Sequence, residues 1–309
     1  MAHRNVASEI SGGNGLSVAQ RKSKPMPSES LTIPPSLMQI LSTGQPDTVP
    51  RSTGMVFDRE TKYVSWDFSP KKFERLELVQ ITDMQFGNIA CKVKRVKEYR
   101  DWVLADPFRY MLWTGDNVDA WRLGSPGSPY DQIGDPQSQV YQFLEIWAPA
   151  RHRILGYVGG NHERRGNAGF GDLGLLLATL LQVPYSGGRQ FIDIKFGKHN
   201  PFKIDLWHGA GGARTKGTVA QILDRFMSQG NADLYLMGHL HQPISFPAWK
   251  QHRDTAAQKI VLKKCFGAVG SSFLETWGSY AEVAGYAAHD VMMARCVLTP
   301  DGKSELTWK

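Results

Sequence analysis

Leu76-Glu77-Leu78-Val79-Gln80-Ile81-Thr82-Asp83 (LELVQITD) decides the architecture: a short, mostly apolar run that stops at a carboxylate. A run of this length with apolar side chains on both pleat faces reads as a strand buried on both sides. Four more runs repeat the pattern. Arg109–Gly115 (RYMLWTG) stops at Asp116, and Arg153–Gly160 (RILGYVGG) stops at Asn161. Phe202–Trp207 (FKIDLW) stops at His208, and Asp233–Gly238 (DLYLMG) stops at His239. Between them lie helical patterns at 93–105, 173–181 and 218–229. Another starts with Asp135 as N-cap and Pro136 as first helical residue, and runs to about Pro149. Gln190–Phe196 (QFIDIKF) adds a strand, and the stretch from Ile244 to Trp308 is mostly β-type. Alternation of this kind predicts an α/β fold. Ligands of open α/β sheets gather at the carboxyl ends of strands, so five strand ends can converge on one point.

Composition bounds the rest. The 309 residues suffice for one large domain, and 41% hydrophobic residues allow a real core. No apolar run approaches the roughly 18–20 residues that span a bilayer, and the first fifteen residues lack a secretory apolar stretch. A cytoplasmic protein without a membrane partner is the expectation. Residues 1–54 are rich in Ser, Gly, Pro and Gln and read as a disordered tail with a short helix near 35–41; residues 55–309 read as the folded domain. Cys91, Cys265 and Cys296 are widely spaced, which argues against a disulfide framework or a thiolate zinc site. The net charge of +7 permits an anionic substrate without demanding one. The basic stretch Lys92–Arg100, with Val93 and Val96 in it and Val103 just after it near helical spacing, reads as a solvated helix face.

The residues at the strand ends are Asp83 and Gln85, Asp116 and Asp119, Asn161 with His162 and Glu163, His208, and His239 with His241. Singly, each has an ordinary reading: a capped loop, an Asx-turn, a hydrogen-bonded histidine. Five such blocks in order, each after a strand-like run, are a different matter. Together they offer the carboxylate, imidazole and amide donors that two divalent ions need around one cavity. A glycine precedes Asp116, Asn161 and His239, which suggests sharp turns off the strands.

These blocks, spanning roughly Leu76 to His241, resemble the signature of the calcineurin-like metallophosphoesterase superfamily: Asp-x-His, Gly-Asp-x-x-Asp, Gly-Asn-His-Asp/Glu, a lone His and Gly-His-x-His. The resemblance implies a four-layer α/β/β/α sandwich with two divalent metal ions at one edge. It implies that Asp83, Gln85, Asp116 and His241 hold the first ion, with Asp116 bridging. Asn161, His208 and His239 would complete the second. His162 would stand beside the substrate as hydrogen-bond or proton donor, oriented by Asp119. The implied reaction is hydrolysis of a phosphoester by a metal-bridging hydroxide.

Two departures shape the expectation. Gln85 stands where the family carries His, which favours a looser first site and manganese over zinc, iron or nickel. Ala120 stands where protein Ser/Thr phosphatases of the superfamily carry a phosphate-gripping Arg. Arg164 and Arg165, just after Glu163, are the candidates to contact substrate phosphate instead. A phosphodiesterase or nuclease acting on a nucleotide or nucleic acid is the leading expectation. A small-molecule phosphomonoesterase and a non-catalytic metal-binding scaffold are the alternatives. Phe246–Trp249 and Ser271–Tyr280 are candidates for the substrate rim.

Overall fold

The structure is a computed structural model. It describes residues 61–168 and 171–309, the strand Arg51–Thr53, and helical positions Met38, Gln39 and Ser42. The remainder of the expected N-terminal tail lies outside the described residues. Arg51–Thr53, within that stretch, pairs as an edge strand.

Thirteen strands in the described residues form two sheets. The strands are β1 (Arg51–Thr53), β2 (Tyr63–Asp67), β3 (Leu76–Ile81), β4 (Arg109–Trp113), β5 (Ile154–Val158), β6 (Tyr185–Ser186) and β7 (Arg189–Lys195). They continue as β8 (Phe202–Trp207), β9 (Leu234–Met237), β10 (Ile244–Asp254), β11 (Lys259–Val269), β12 (Ala294–Leu298) and β13 (Ser304–Trp308). The helices are α1 (Val93–Leu104), α2 (Pro136–Trp147), α3 (Leu173–Leu181), α4 (Lys216–Ser228) and the single turn α5 (Tyr280–Val283). One sheet runs β1-β2-β7-β8-β9-β11-β10, the other β13-β12-β3-β4-β5-β6.

The strand and helix expectations fall within a few residues of these bounds. Asp135 caps α2 by accepting from Ser138 N at 2.8 Å, and a 3-10 stretch over Ala148–Arg153 replaces the expected last turn. There Pro149 has no N–H to give an α-helix. The region after His241 is less uniformly β-type than expected, because 270–293 is irregular apart from α5.

The two sheets face each other. Val64, Trp66, Ile192, Ile204, Leu206 and Leu236 of one pack against Leu76, Leu78, Leu112, Leu155 and Cys296 of the other. Trp66 Nε1 donates across the gap to Leu155 O at 2.9 Å. Helix α4 covers the outer face of the first sheet through Val219, Leu223, Phe226 and Met227. On the other side α2 packs Phe143 and Trp147 edge-on against Trp113 of β4. This is the α/β/β/α sandwich. Burial on both faces explains why β3 is buried at every position. No helix among the described residues is long and apolar enough to cross a membrane.

Two polar residues of β3 need an account. Gln80 Nε2 donates to Thr114 Oγ1 (2.9 Å) and to Met237 O of the facing sheet (2.8 Å), tying the sheets together beneath the site. Glu77, 3% exposed, meets Arg75 at 2.9 Å, Arg109 at 3.1 Å and Arg295 at 2.9 Å. Burial disfavours its charge, but the three guanidiniums prevail and hold its pKa below the usual value. Removing one partner of a buried ion cluster costs about 3–5 kcal/mol. Because these arginines keep some solvent, Glu77→Gln should destabilise by about 3 kcal/mol at pH 7. A depressed folded pKa means that this stability is present above the unfolded value of about 4.3 and is lost as pH falls through the folded pKa. Urea midpoints of both proteins should therefore differ at pH 7 and approach each other by pH 3; an equal gap at both would contradict the assignment.

Candidate metal centre

In the second sheet β3, β4 and β5 are parallel neighbours; in the first, β8 and β9 are. Their carboxyl ends meet at one edge of the sandwich. The strand pairing continues into the loops. Asp83 N donates to Gly115 O (2.9 Å), Gln85 N to Asp116 O (2.8 Å) and Phe86 N to Asn117 O (2.9 Å). Gly238 N donates to His208 O at 3.0 Å, joining the loops after β8 and β9.

Backbone strain concentrates here. Asp83, Gln85, Asp116, Ala120, His239 and His241 all have positive φ, between 45° and 67°, and among the described residues the other non-glycine cases are Gln182 and Gln258. Each such residue costs about 1–3 kcal/mol and persists only where the surroundings impose it. Glycines matter for a different reason than expected. Gly115 does turn through φ +92°, but Gly160 does not have positive φ. A Cβ at Gly160 would instead overlap Asp116 Oδ1 and N, so the role there is close approach of the β5 loop to the carboxylate.

The donor set assembles as follows. Asp116 Oδ2 lies 3.2 Å from His208 Nε2 and 3.6 Å from His162 Nε2. Asp116, His208 and His239 each offer a ligand atom within 4.8 Å of the others. Asn161 Oδ1 is 3.0 Å from His208 Nε2. Asp83 Oδ1 is 3.1 Å from His241 Nε2, and Asp83 Oδ2 accepts from His239 N at 2.9 Å. The second ring nitrogens are held by carbonyls: His208 Nδ1–H donates to Thr114 O (2.6 Å) and His239 Nε2–H to Gly211 O (2.8 Å). With those nitrogens held, His208 Nε2, once its own proton has left, and His239 Nδ1 are the atoms that can offer a metal ion a lone pair. Asp116, His208, His239 and Asn161 therefore fit one divalent ion, and Asp83 with His241 a second beside it.

The electrostatics agree. Burial opposes ionisation of Asp116, but His162 and His208 hold its pKa well below the usual carboxylate range. Burial likewise opposes ionisation of Asp83, and His241 outweighs it. His208 is pushed up to about 9: burial works against its charge, but Asp116 dominates. His239 is lowered by burial and by His208. A cation entering this site displaces a proton from His208, so binding is coupled to proton release.

His162 lies beside the donors. Its Nδ1 is 2.7 Å from Asp119 Oδ1, and Asp119 is itself fixed by Asn88 (3.0 Å) and Gln132 (2.6 Å). Burial opposes protonation of His162, yet Asp116 and Asp119 raise its pKa. Arg165 and Arg164 part company. Arg165 donates to Asp119 O (2.8 Å) and to His162 Nε2 (2.9 Å). Arg164 is exposed and donates to Gly187 O, so it does not join the cluster in this arrangement. The 3-10 turn over Glu163–Ala168 sends the two side chains apart.

Gln85 is the other surprise. Its Oε1 accepts from Tyr280 Oη at 2.8 Å, and its Nε2 faces His162 and His241 at 3.5 Å each. As placed, the carbonyl oxygen does not point at the donors it was expected to join.

Several further side chains shape the site. Glu163, fully buried, accepts from Asp116 N (3.0 Å), Asn117 N (2.7 Å), Gly160 N (2.9 Å) and Tyr157 Oη (3.0 Å), pinning the two acidic loops together. Tyr286 stacks on His241 at 4.8 Å between centroids, and the Arg214 guanidinium lies over the Tyr286 ring at 3.9 Å. Of the expected rim, Ser272 Oγ and Phe273 N both donate to Asp83 O, and Tyr280 meets Gln85, whereas Phe246 packs with the α4 core.

The sequence matches no protein-family model and no curated protein. Solved structures are similar to it at low identity. One is an NAD nucleotidase of Haemophilus influenzae: 11% identity, 75% of this chain, 49% of that one, TM-score 0.36. This chain thus spans about half the length of the nucleotidase. Another is a metallophosphoesterase from Sphaerobacter thermophilus: 15% identity, 75% and 87% coverage, TM-score 0.34. A third is a protein serine/threonine phosphatase from Saccharomyces cerevisiae with similarity to human phosphatase PP5: 11% identity, 88% of each chain, TM-score 0.36. The overlaps are loose, and the functional reading is carried by the fold and the site geometry of this chain.

Proposed function

We propose that the protein is a metal-dependent phosphoesterase and that its substrate is a phosphodiester. The observation that carries this is Asp116: one buried carboxylate faces the imidazole of the donor set (His208, 3.2 Å) and the imidazole of the acid–base pair (His162, 3.6 Å). Asp116, His208, His239 and Asn161 would hold one divalent ion, and Asp83 with His241 the other. Bound there, such ions polarise phosphoryl oxygens and make water a competent nucleophile near neutral pH. Manganese suits this oxygen-rich and imidazole-rich set.

The chain's own side chains supply the rest. Asp119 fixes the His162 ring through Nδ1, so Nε2 is the atom that hydrogen-bonds or protonates a leaving oxygen. Arg165 holds Nε2 in the resting arrangement. A phosphate that draws the guanidinium away leaves the Nε2 lone pair free to take up a proton from water, which it can then pass to the leaving oxygen. Ala120 is 1% exposed, so this position offers no phosphate-gripping Arg. That absence and the positive net charge support a diester such as a nucleotide or nucleic acid.

One observation favours a second reading. Arg165 brings a guanidinium beside Asp119 O, 2.8 Å away, where it can grip a terminal phosphate. This suits a phosphomonoesterase. Turnover of bis-(p-nitrophenyl) phosphate against p-nitrophenyl phosphate with added manganese separates the two. Preference for the diester is the expected result; preference for the monoester supports the Arg165 reading. No turnover of either, with metal bound, would leave a binding scaffold.

A further inference from the structure

The two halves of the centre are not equally ready for an ion. In the Asp116, His208 and His239 half, carbonyl partners hold the outer nitrogen of each imidazole, so both rings are already oriented toward the centre, and Asn161 is exposed. In the Asp83 and His241 half, the third donor is turned away: Gln85 Oε1 is bonded to Tyr280, and its N–H groups point toward His241 and His162. An amide nitrogen is no ligand for a hard cation, so Gln85 must rotate its amide before it can contribute oxygen. The segment from Tyr280 to Tyr286 also roofs this half, with Tyr286 on His241 and Arg214 on Tyr286.

We propose that Tyr280 gates the Asp83 and His241 half-site by holding the carbonyl oxygen of Gln85 away from it, so that the two ions load in order, the Asp116 half first. The inference rests on the two-ion reading above. Rotation makes the Tyr280 hydroxyl an acceptor for the Gln85 amide and strips its proton of a protein acceptor, because Gln85 is its one hydrogen-bond partner among the described residues. A partly buried donor without a partner is costly. Phenylalanine has no such proton, so the rotated, ligating form becomes easier to reach.

Calorimetric titration of the metal-stripped full-length protein with manganese chloride tests this. The wild type should bind two ions with clearly separated affinities. Tyr280→Phe should tighten the weaker site about fivefold, equivalent to about 1 kcal/mol, and leave the tighter one unchanged. Gln85→His removes the amide that Tyr280 holds, so Tyr280→Phe should have no effect on top of it. If the wild type binds two ions and Tyr280→Phe leaves the weak site unchanged or loosens it, the gate is overturned while the two-ion reading stands. A Tyr280→Phe effect that persists in the Gln85→His background also overturns it. If the folded wild type binds fewer than two ions, the reading beneath it falls. Circular dichroism of each variant confirms that the titrated protein is folded.

Discussion

Asp116→Asn should abolish both metal retention and turnover while leaving the protein folded. The substitution is isosteric, and an amide oxygen at Oδ1 still accepts the His162 backbone N–H that Asp116 holds at 2.8 Å. What it removes is the charge that lies 3.2 Å from His208 Nε2 and that faces His162 from its other side. Loss of a mere outer partner of a metal ligand costs 10–100-fold in affinity or activity. Loss of the carboxylate common to the whole centre should therefore cost more than about 100-fold in manganese affinity. Elemental analysis after gel filtration gives the retained metal, and thermal melting of the metal-free proteins reports the fold. A variant that keeps full metal and turnover would remove Asp116 from the centre.

His162→Ala should give the opposite pairing: metal kept, turnover lost. The His162 ring approaches the donor set loosely, at 3.6 Å from Asp116 and 3.5 Å from Gln85, and its backbone contact to Asp116 survives truncation. Its side chain is committed instead to Asp119 and Arg165. General acid help of this kind contributes roughly 10²–10⁴-fold, so kcat should fall by that amount with unchanged metal stoichiometry. Undiminished turnover would strip His162 of its assigned role; loss of metal would make it a ligand.

The strand ends were legible in the sequence because burial on both sheet faces demands uninterrupted apolar runs, and each run stops where the chain meets the cavity. Leu76–Ile81 followed by Asp83 shows this, as does Leu234–Met237 followed by His239. The four-layer order follows from the same runs alternating with helices. Less legible was anything that depends on direction. Arg164 and Arg165 are adjacent in sequence and chemically alike, yet a 3-10 turn points one at Gly187 and the other at His162. Gln85 sits at the expected position, but a partner 195 residues away turns its oxygen elsewhere. Glu163 ends the Gly-Asn-His-Glu block, and no spacing in the sequence reveals that it accepts three backbone N–H groups from the loops after β4 and β5. Tyr280 is the last residue of the expected rim, whose aromatics read equally well as core, and Tyr286 lies beyond it. The one local signal there is a turn-and-cap pair, Gly278-Ser279, just ahead of the short helix that starts at Tyr280.

The proposed chemistry requires two cations seated between the loops of both sheets. Crystals grown with manganese and measured for anomalous scattering test this most directly. The expected map has two strong peaks, one among Asp116, His208 and His239 and one beside Asp83 and His241. A folded, active protein whose map is featureless at that sheet edge would contradict the account.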